Sequence, residues 1–263
     1  MNKNSPNHYD ILIAGAGFAG SLIALALEKS GFKVCLLEKG KHPRFTIGES
    51  STPVADMILR KLSSKYDLPW LYDFSRYGSW QQSHPEIICG IKRGFSFFKH
   101  YPGQEFFSDE NHTNELLVAA SDIDELSDTN WLRSDFDSFL IDKVKESGIG
   151  YFDLTEIIKA KRNSEWEFSI KRSNAEEFVY SHFFIDASGS GDLIEKVFGI
   201  ESSSNDFLTK SFTLFSHFDN VPHWTEILKE KKISIKDFFI RSGRPEKSLI
   251  KSLSFMDFAI PRV

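Results

Sequence analysis

Cysteine is scarce in this chain, with only Cys35 and Cys89 among 263 residues. Two thiols cannot build a disulfide framework or a four-ligand zinc site. Cys35 lies inside the apolar run Val34-Cys35-Leu36-Leu37 and reads as a small core residue. An excess of positive charge is also lacking. The net charge of −5 argues against binding of a nucleic-acid backbone as a main activity, because that needs a basic surface. The Lys-rich stretch holding Lys229, Lys231, Lys232 and Lys236 reads instead as a solvated helix face. No apolar run is long enough to predict a membrane span, which takes roughly 20 continuous residues. The candidate from Ile11 to Leu27 is broken by three glycines. The start, MNKNSPNHYD, has no basic segment leading into an apolar stretch, so a reduced, cytoplasmic compartment is expected. A GxSxG elbow, an HExxH helix and a Cys/His cluster with metal spacing are all missing, so no metal site is predicted.

What is present is ordinary globular composition, 41% hydrophobic and 26% charged. A chain of this length buries roughly three quarters of its unfolded surface, enough for one large domain or two interlocked lobes. The first forty residues carry the sharpest pattern. Tyr9 to Ala14 predicts a short buried strand, Ser21 to Lys29 a helix, and Lys33 to Leu37 a second strand. Between strand and helix stands Gly15-Ala16-Gly17-Phe18-Ala19-Gly20, the glycine pattern of a dinucleotide-binding turn. Gly15 permits the tight turn, Gly17 lets a pyrophosphate approach the backbone, and Gly20 allows close helix packing. The helix N-terminus then offers N–H groups and a positive dipole end to phosphate. Glu38, 18 residues beyond Gly20, ends the second strand, where a carboxylate can accept hydrogen bonds from an adenosine ribose. It would also repel a 2′-phosphate, which disfavours NADP.

Beyond Glu38 and Lys39, the run Pro43-Arg44-Phe45-Thr46-Ile47-Gly48-Glu49-Ser50-Ser51-Thr52-Pro53 resembles the segment PRFxIGESLLP of flavin-dependent halogenases and their monooxygenase-like relatives. These belong to the wider class built like p-hydroxybenzoate hydroxylase. Ser51-Thr52 departs from the usual pair of leucines. Trp131-Leu132-Arg133-Ser134-Asp135-Phe136-Asp137 is similar to the family's VxRxxFD element, and Asp186-Ala187-Ser188-Gly189 to its DASG element. The resemblance implies bound FAD. Arg44 and Arg133 would approach it, Gly48, Glu49 and Ser50 would lie along the flavin, and Asp186 and Gly189 would come near its phosphates. Phe18, Ala19 and Lys39 would add contacts beside the glycine turn. Without the family, Asp186 is simply a polar residue ending an apolar strand.

Phe136, Leu140 and Val144 form one helical stripe, and Glu146 to Gly150 reads as a helix stop with a strand from Tyr151. Thr155 to Arg162, Trp166 to Arg172 and Glu177 to His182 predict an inserted meander, with turns at Asn163-Ser164 and Ser173-Asn174. Phe183 to Asp186 is expected as the next parallel strand, and Glu176-Glu177 as a solvated turn. Lys92-Arg93-Gly94-Phe95-Ser96-Phe97 resembles the KxGxxF element of carrier-protein and phenol halogenases, in which the lysine faces the substrate. The resemblance implies that reduced FAD and oxygen form a hydroperoxide, and that halide attacks it to give hypohalous acid. A lysine then directs this oxidant at an electron-rich aromatic ring, free or carrier-tethered, and a separate reductase supplies the reduced flavin. Lys92 is the catalytic candidate, although its position beside Arg93 favours the plainer reading of a solvent-facing lysine at a strand edge. Phe95, Phe97 and Phe98 fit either a substrate pocket or a core.

The resemblance spans about residues 9 to 222. Phe212 to Phe218 still looks like a family strand, but the five tryptophans form no WxW element. Met256 and Phe258 stand before Ile260-Pro261, and Gly191-Asp192 is not followed by the expected proline. The expectation is a doubly wound α/β FAD-binding lobe of residues 1–55 and 130–200 with a β-meander insertion. A mixed α+β substrate lobe of 56–129 and 201–263 is expected beside it, with the family's C-terminal part missing and FAD weakly retained. Halogenation, oxygenation without halide, and a split or non-catalytic FAD-binding remnant all remain open at this point.

Overall fold

The first apolar run forms strand β1 (His8–Ala14), in which Leu12 and Ile13 are fully buried. Helix α1 (Phe18–Lys29) follows, and β2 (Val34–Leu37) returns parallel to β1. Next come α2 (Pro53–Lys65), a 3-10 segment at Pro69–Ser75, α3 (Tyr77–Ser83), β3 (Cys89–Lys92), β4 (Gly94–Phe98), β5 (Glu115–Ala119) and β6 (Asp128–Trp131). The chain continues through α4 (Arg133–Glu146), β7 (Gly150–Phe152), β8 (Thr155–Arg162), β9 (Trp166–Arg172), β10 (Ala175–Asp186), α5 (Asp192–Phe198) and α6 (Trp224–Glu230). The computed structural model describes residues 7–92, 94–119, 121, 123–189, 191–201, 203, 206–209, 214–215 and 224–232. Lys236 and the run from Phe255 to Val263 lie outside these residues, as does most of the strand expected at Phe212 to Phe218.

Two compact units emerge, Met1–Gly48 with Arg133–Leu214 and Glu49–Leu132 with Phe215–Val263. Their breaks differ from those read in the sequence because β6 stays with the segment after Gly48. Ser50 bridges Asn130, and the Glu49 carbonyl accepts the Trp131 N–H at 2.7 Å.

In the first unit a six-stranded sheet runs β7-β2-β1-β10-β9-β8. The strands from β7 to β10 are mutually parallel, and β9 and β8 extend the sheet as an antiparallel meander. This is the parallel-dominated α/β lobe of a Rossmann-like nucleotide-binding domain. Burial follows the sequence stripes. Phe136, Leu140 and Val144 of α4 are fully buried, each contributing about 1.5–3 kcal/mol by leaving water. Ser173 and Asn174 both take positive φ, 49° and 67°, and close the β9–β10 hairpin with a two-residue turn.

One expectation is corrected here. Glu177 to His182 and Phe183 to Asp186 are not two strands but one, β10, and Glu176 and Glu177 lie on it rather than in a turn. No turn-forming residue separates His182 from Phe183, so the chain runs straight on. The strand changes partner instead: Ala175 to Ser181 pair with β9, and Tyr180 to Asp186 pair with β1. Glu177 is held by the Arg172 guanidinium at 3.0 Å.

The second unit builds its core from Leu59, Leu71, Phe74, Trp80 and Trp131. Trp80 keeps its indole N–H satisfied by donating to the Ile87 carbonyl at 2.8 Å. Two antiparallel pairs, β3–β6 and β4–β5, complete it. Phe95, Phe97 and Phe98 are 37%, 54% and 42% exposed, so the core reading of these rings is corrected. Strand β4 pairs only with β5 among the described residues, and its rings pack locally, Phe95 on Phe97 and Phe98 on Phe106, with centroids 6.1 and 5.3 Å apart.

Candidate cofactor and catalytic site

The bend after β1 is shaped by steric necessity. Gly15 has φ +98°, and a Cβ there would lie 2.5 Å from the Ala187 carbonyl oxygen. A Cβ on Gly20 would sit 1.9 Å from the Gly15 carbonyl oxygen, so the third glycine lets α1 close on the bend itself. Gly17 caps α1 without a side-chain hydrogen bond, and the first turn carries no acidic residue that would compete for an anion. Phe18 opens the helix and packs on Phe136, with ring centroids 5.7 Å apart, while Ala19 is exposed. Glu38 is buried at the end of β2 and its carboxylate accepts two backbone N–H groups, from Ala16 at 2.9 Å and from Gly40 at 2.8 Å.

Two guanidinium groups converge on Gly17. A Cβ at that position would be 3.4 Å from Arg44 Nη2 and 3.7 Å from Arg133 Nη2. Arg44 lies 3.4 Å from Glu38 through Nη2, and its buried Nε has no hydrogen-bond partner. Arg133 is gripped in a two-pronged pair by the fully buried Asp137, at 2.8 and 2.9 Å. Its Nη1 donates to the Ile47 and Gly48 carbonyls at 3.0 and 3.2 Å, so it also fixes the approach to the Gly48 turn, where φ is +92°. His42 lies close by, and burial followed by the Arg44 charge pushes its imidazole below the ordinary pKa, favouring the neutral ring. A bare backbone, an uncapped helix tip, two cations and an unpaired buried Nε fit a diphosphate.

A cleft of about 400 Å³ opens beside this bend, lined by Gly15, Glu38, Lys39, Arg44, Thr155 and Lys196 among others. Lys39 stands at its rim, paired with Glu156 at 2.8 Å. Asp186 does not reach out from the end of β10, because its Oδ1 accepts the Ser188 N–H at 2.8 Å and shapes the turn before Gly189, whose φ is +80°.

In the second unit Lys92 is buried, which corrects the solvent-facing alternative. Its Nζ donates to the Ser51 carbonyl and lies 4.0 Å from the centre of the Phe95 ring. Burial pushes its pKa below the usual lysine range, and the nearby Asp128 and Asp56 partly oppose that fall. Asp56 and Asp128 are themselves buried and hydrogen-bonded to each other. Burial, then the Asp128 carboxyl, push Asp56 up to about 8. Burial also lifts Asp128 above its ordinary value.

Comparison with known proteins gives this geometry its context. A model of the NAD(P)-binding Rossmann-like domain family matches residues 13–81. The monodechloroaminopyrrolnitrin halogenase PrnC of Pseudomonas fluorescens is 27% identical over 230 residues, 88% of this chain and 39% of that protein. The tetracycline 7-halogenase of Kitasatospora aureofaciens is 25% identical over 224 residues, 84% of this chain and 38% of that protein. The crystal structure of halogenase PltM in complex with phloroglucinol and FAD matches with a TM-score of 0.64 at 29% identity, covering 74% of this chain and 37% of that one. By sequence and fold, this chain is similar to the flavin-dependent halogenases. It spans about two fifths of the length of the relatives it matches.

The first unit is therefore a Rossmann-like FAD-binding lobe similar to that of the halogenase structures, and FAD is the cofactor that its residues fit. Of the residues expected to serve the flavin, Gly15, Gly17, Gly20, Glu38, Arg44, Gly48 and Arg133 gather around the bend. Lys39, Asp186 and Gly189 lie toward its rim. Glu49 and Ser50 belong to the second unit with Lys92. Sequence reasoning missed His42, Asp56, Asp128 and the clamping role of Asp137. Only Asp137 left a local trace, because an Arg and an Asp four residues apart share a helix face. Among the described residues no helix is long and apolar enough to cross a membrane, and no group of three His, Cys, Asp or Glu is placed to hold a metal ion.

Proposed function

We propose that this chain serves an FAD-dependent oxidation of the flavin-dependent halogenase type, directed at an electron-rich aromatic substrate, free or carrier-tethered. In this reading Lys92 is the catalytic side chain and a separate reductase supplies reduced flavin. The observation that carries it is the burial of Lys92 with its Nζ anchored on Ser51, the residue that follows the Gly48-Glu49-Ser50 segment. When bound and reduced, FAD supplies electrons to oxygen and so provides the oxidising equivalent. The chain's own residues hold and direct. Glu38 orders the Ala16 and Gly40 amides, Arg44 and Arg133 offer charge to the diphosphate, and the Gly17 backbone lets it come close. A lysine withdrawn from water reaches its neutral amine more readily than a surface lysine. That amine can take the halogen from hypohalous acid, its own proton leaving with the oxygen as water, and the ammonium can instead orient the hypohalous acid by donating a hydrogen bond to its oxygen. The Phe95 ring beneath Nζ offers a face on which a planar substrate can stack.

The test is turnover of the purified chain with FAD, a flavin reductase, chloride or bromide, and a panel of phenols and indoles. Halide-dependent product is expected, reduced about 100-fold or more in Lys92→Ala at unchanged FAD affinity. Oxygenated product formed without halide would move the assignment to hydroxylation. Tightly bound, reducible FAD with no product from any substrate would sink the enzymatic reading.

A further inference from the structure

The second unit buries a set of ionisable groups that flavin binding does not use. Lys92 and Asp128 are direct partners in the β3–β6 ladder, which brings their Cβ atoms within about 5.5 Å. Asp56, in the first turn of α2, meets the Asp128 carboxyl from the other side. Ser51 ties the group together. Its carbonyl accepts from Lys92, its N–H donates to the Thr129 carbonyl at 2.9 Å, and its Oγ accepts the Thr129 N–H at 3.2 Å.

We propose that Asp56 and Asp128 share one proton and act as positioning residues that set the charge of Lys92 and receive its proton. The proposal rests on Lys92 acting in the reaction above. Mutual repulsion argues for it. Two buried carboxyls that meet cannot both ionise without cost, and one shared proton removes that repulsion although Arg60 and Arg76 face Asp56. Asp56 Oδ1 and Asp128 Oδ2 are buried and meet no other donor, and an acid oxygen facing another acid is satisfied only when one of them carries the proton. The step conserves charge. The proton leaves Lys92 Nζ for the Asp128 carboxylate, giving a neutral amine and two neutral carboxylic acids. The other groups facing the cluster are Arg60 of α2 and Arg76 before α3, both acting on Asp56, and the Phe95 ring of β4 and the Ser51 carbonyl, both on Lys92.

The experiment follows the side-chain nitrogen of Lys92 by NMR across pH in the full chain labelled with 15N-lysine, the signal assigned by its loss in Lys92→Arg. Asp128→Asn removes the partner across the ladder, so the Lys92 midpoint should fall by about 1–3 pH units. Asp56→Asn leaves Asp128 ionised alone beside the lysine, so the midpoint should rise. A merely structural role moves neither, and shifts of equal sign in both variants, or none, overturn the proposal. Should Asp128→Asn fail to fold, infrared difference spectra of the wild-type chain decide. A protonated-carboxyl band at neutral pH, lost in Asp56→Asn, is expected, and its absence refutes the shared proton. Lys92→Ala turnover judges the catalytic reading separately, since the NMR shifts stand whether or not the chain halogenates.

Discussion

In the first unit the buried carboxylates Glu38 and Asp137 are surrounded by donors, two backbone N–H groups for one and a two-pronged guanidinium for the other. In the second unit Asp56 and Asp128 face each other instead, with a lysine alongside. The same residue type is used for opposite ends. Fully paired charge fixes geometry, because any movement would leave a buried charge without its partner. Two acids that share one proton hold it more tightly than a lone carboxyl does, and the pair rather than either acid sets the pH at which it leaves. A nucleotide cradle needs the first property and a reaction site needs the second.

The comparison can be broken most forcefully at Asp137. Asp137→Ala leaves Arg133 without its buried partner and loosens the Ile47–Gly48 carbonyl clamp. A stability loss of about 3–5 kcal/mol is expected in urea unfolding, with Asp137→Asn in between. A loss no greater than that of an average surface mutation would show that the pair does not organise the lobe. Gly20→Ala comes next. Its methyl group must displace the Gly15 carbonyl, at a cost of about 1–3 kcal/mol, so FAD affinity should fall roughly 10- to 100-fold when titrated by flavin fluorescence. Normal affinity would mean that the bend yields without cost.

Asp56 sharpens the contrast through pH. Its pKa is raised in the folded state, so that state holds the proton over a range where the unfolded chain has released it. Stability from this group is therefore fully present below the ordinary carboxylate pKa, about 3.9, and is lost as pH rises through about 8. Asp56→Asn should flatten that decline in unfolding curves taken across the window. A parallel decline in both proteins would assign the effect elsewhere. The smallest effect is expected at the rim. Lys39 and Glu156 are 72% and 48% exposed, so Lys39→Ala should cost under about 1 kcal/mol, a difference that fades with added salt.

Legibility in the sequence followed the same divide. The cradle was readable because its parts are local: a strand, three glycines, a helix and an acid within one βαβ unit, each dictated by backbone sterics. The two-residue turn at Ser173-Asn174 and the stripe Phe136, Leu140 and Val144 were readable for the same reason. The run from Ala175 to Asp186 was misread as a turn and two strands because its change of partner is a tertiary fact with no residue to mark it. Lys92 could be named from its resemblance to KxGxxF, but not its burial, since an isolated Lys-Arg pair gives no face. Asp56 and Asp128 were invisible. They meet only in the tertiary structure, one from α2 and the other from β6, and neither belongs to a pattern of its own.

Strand β1 has a paired neighbour on both sides, β2 and β10, for most of its length. Its amide hydrogens should thus be among the last in the chain to exchange with deuterated solvent, because releasing them requires two ladders to part at once. The phosphate-facing bend grows directly from that strand. Breathing at the edges of the sheet, in β7 or β8, therefore leaves the bend in place, and the nucleotide meets a surface that is already set when it arrives.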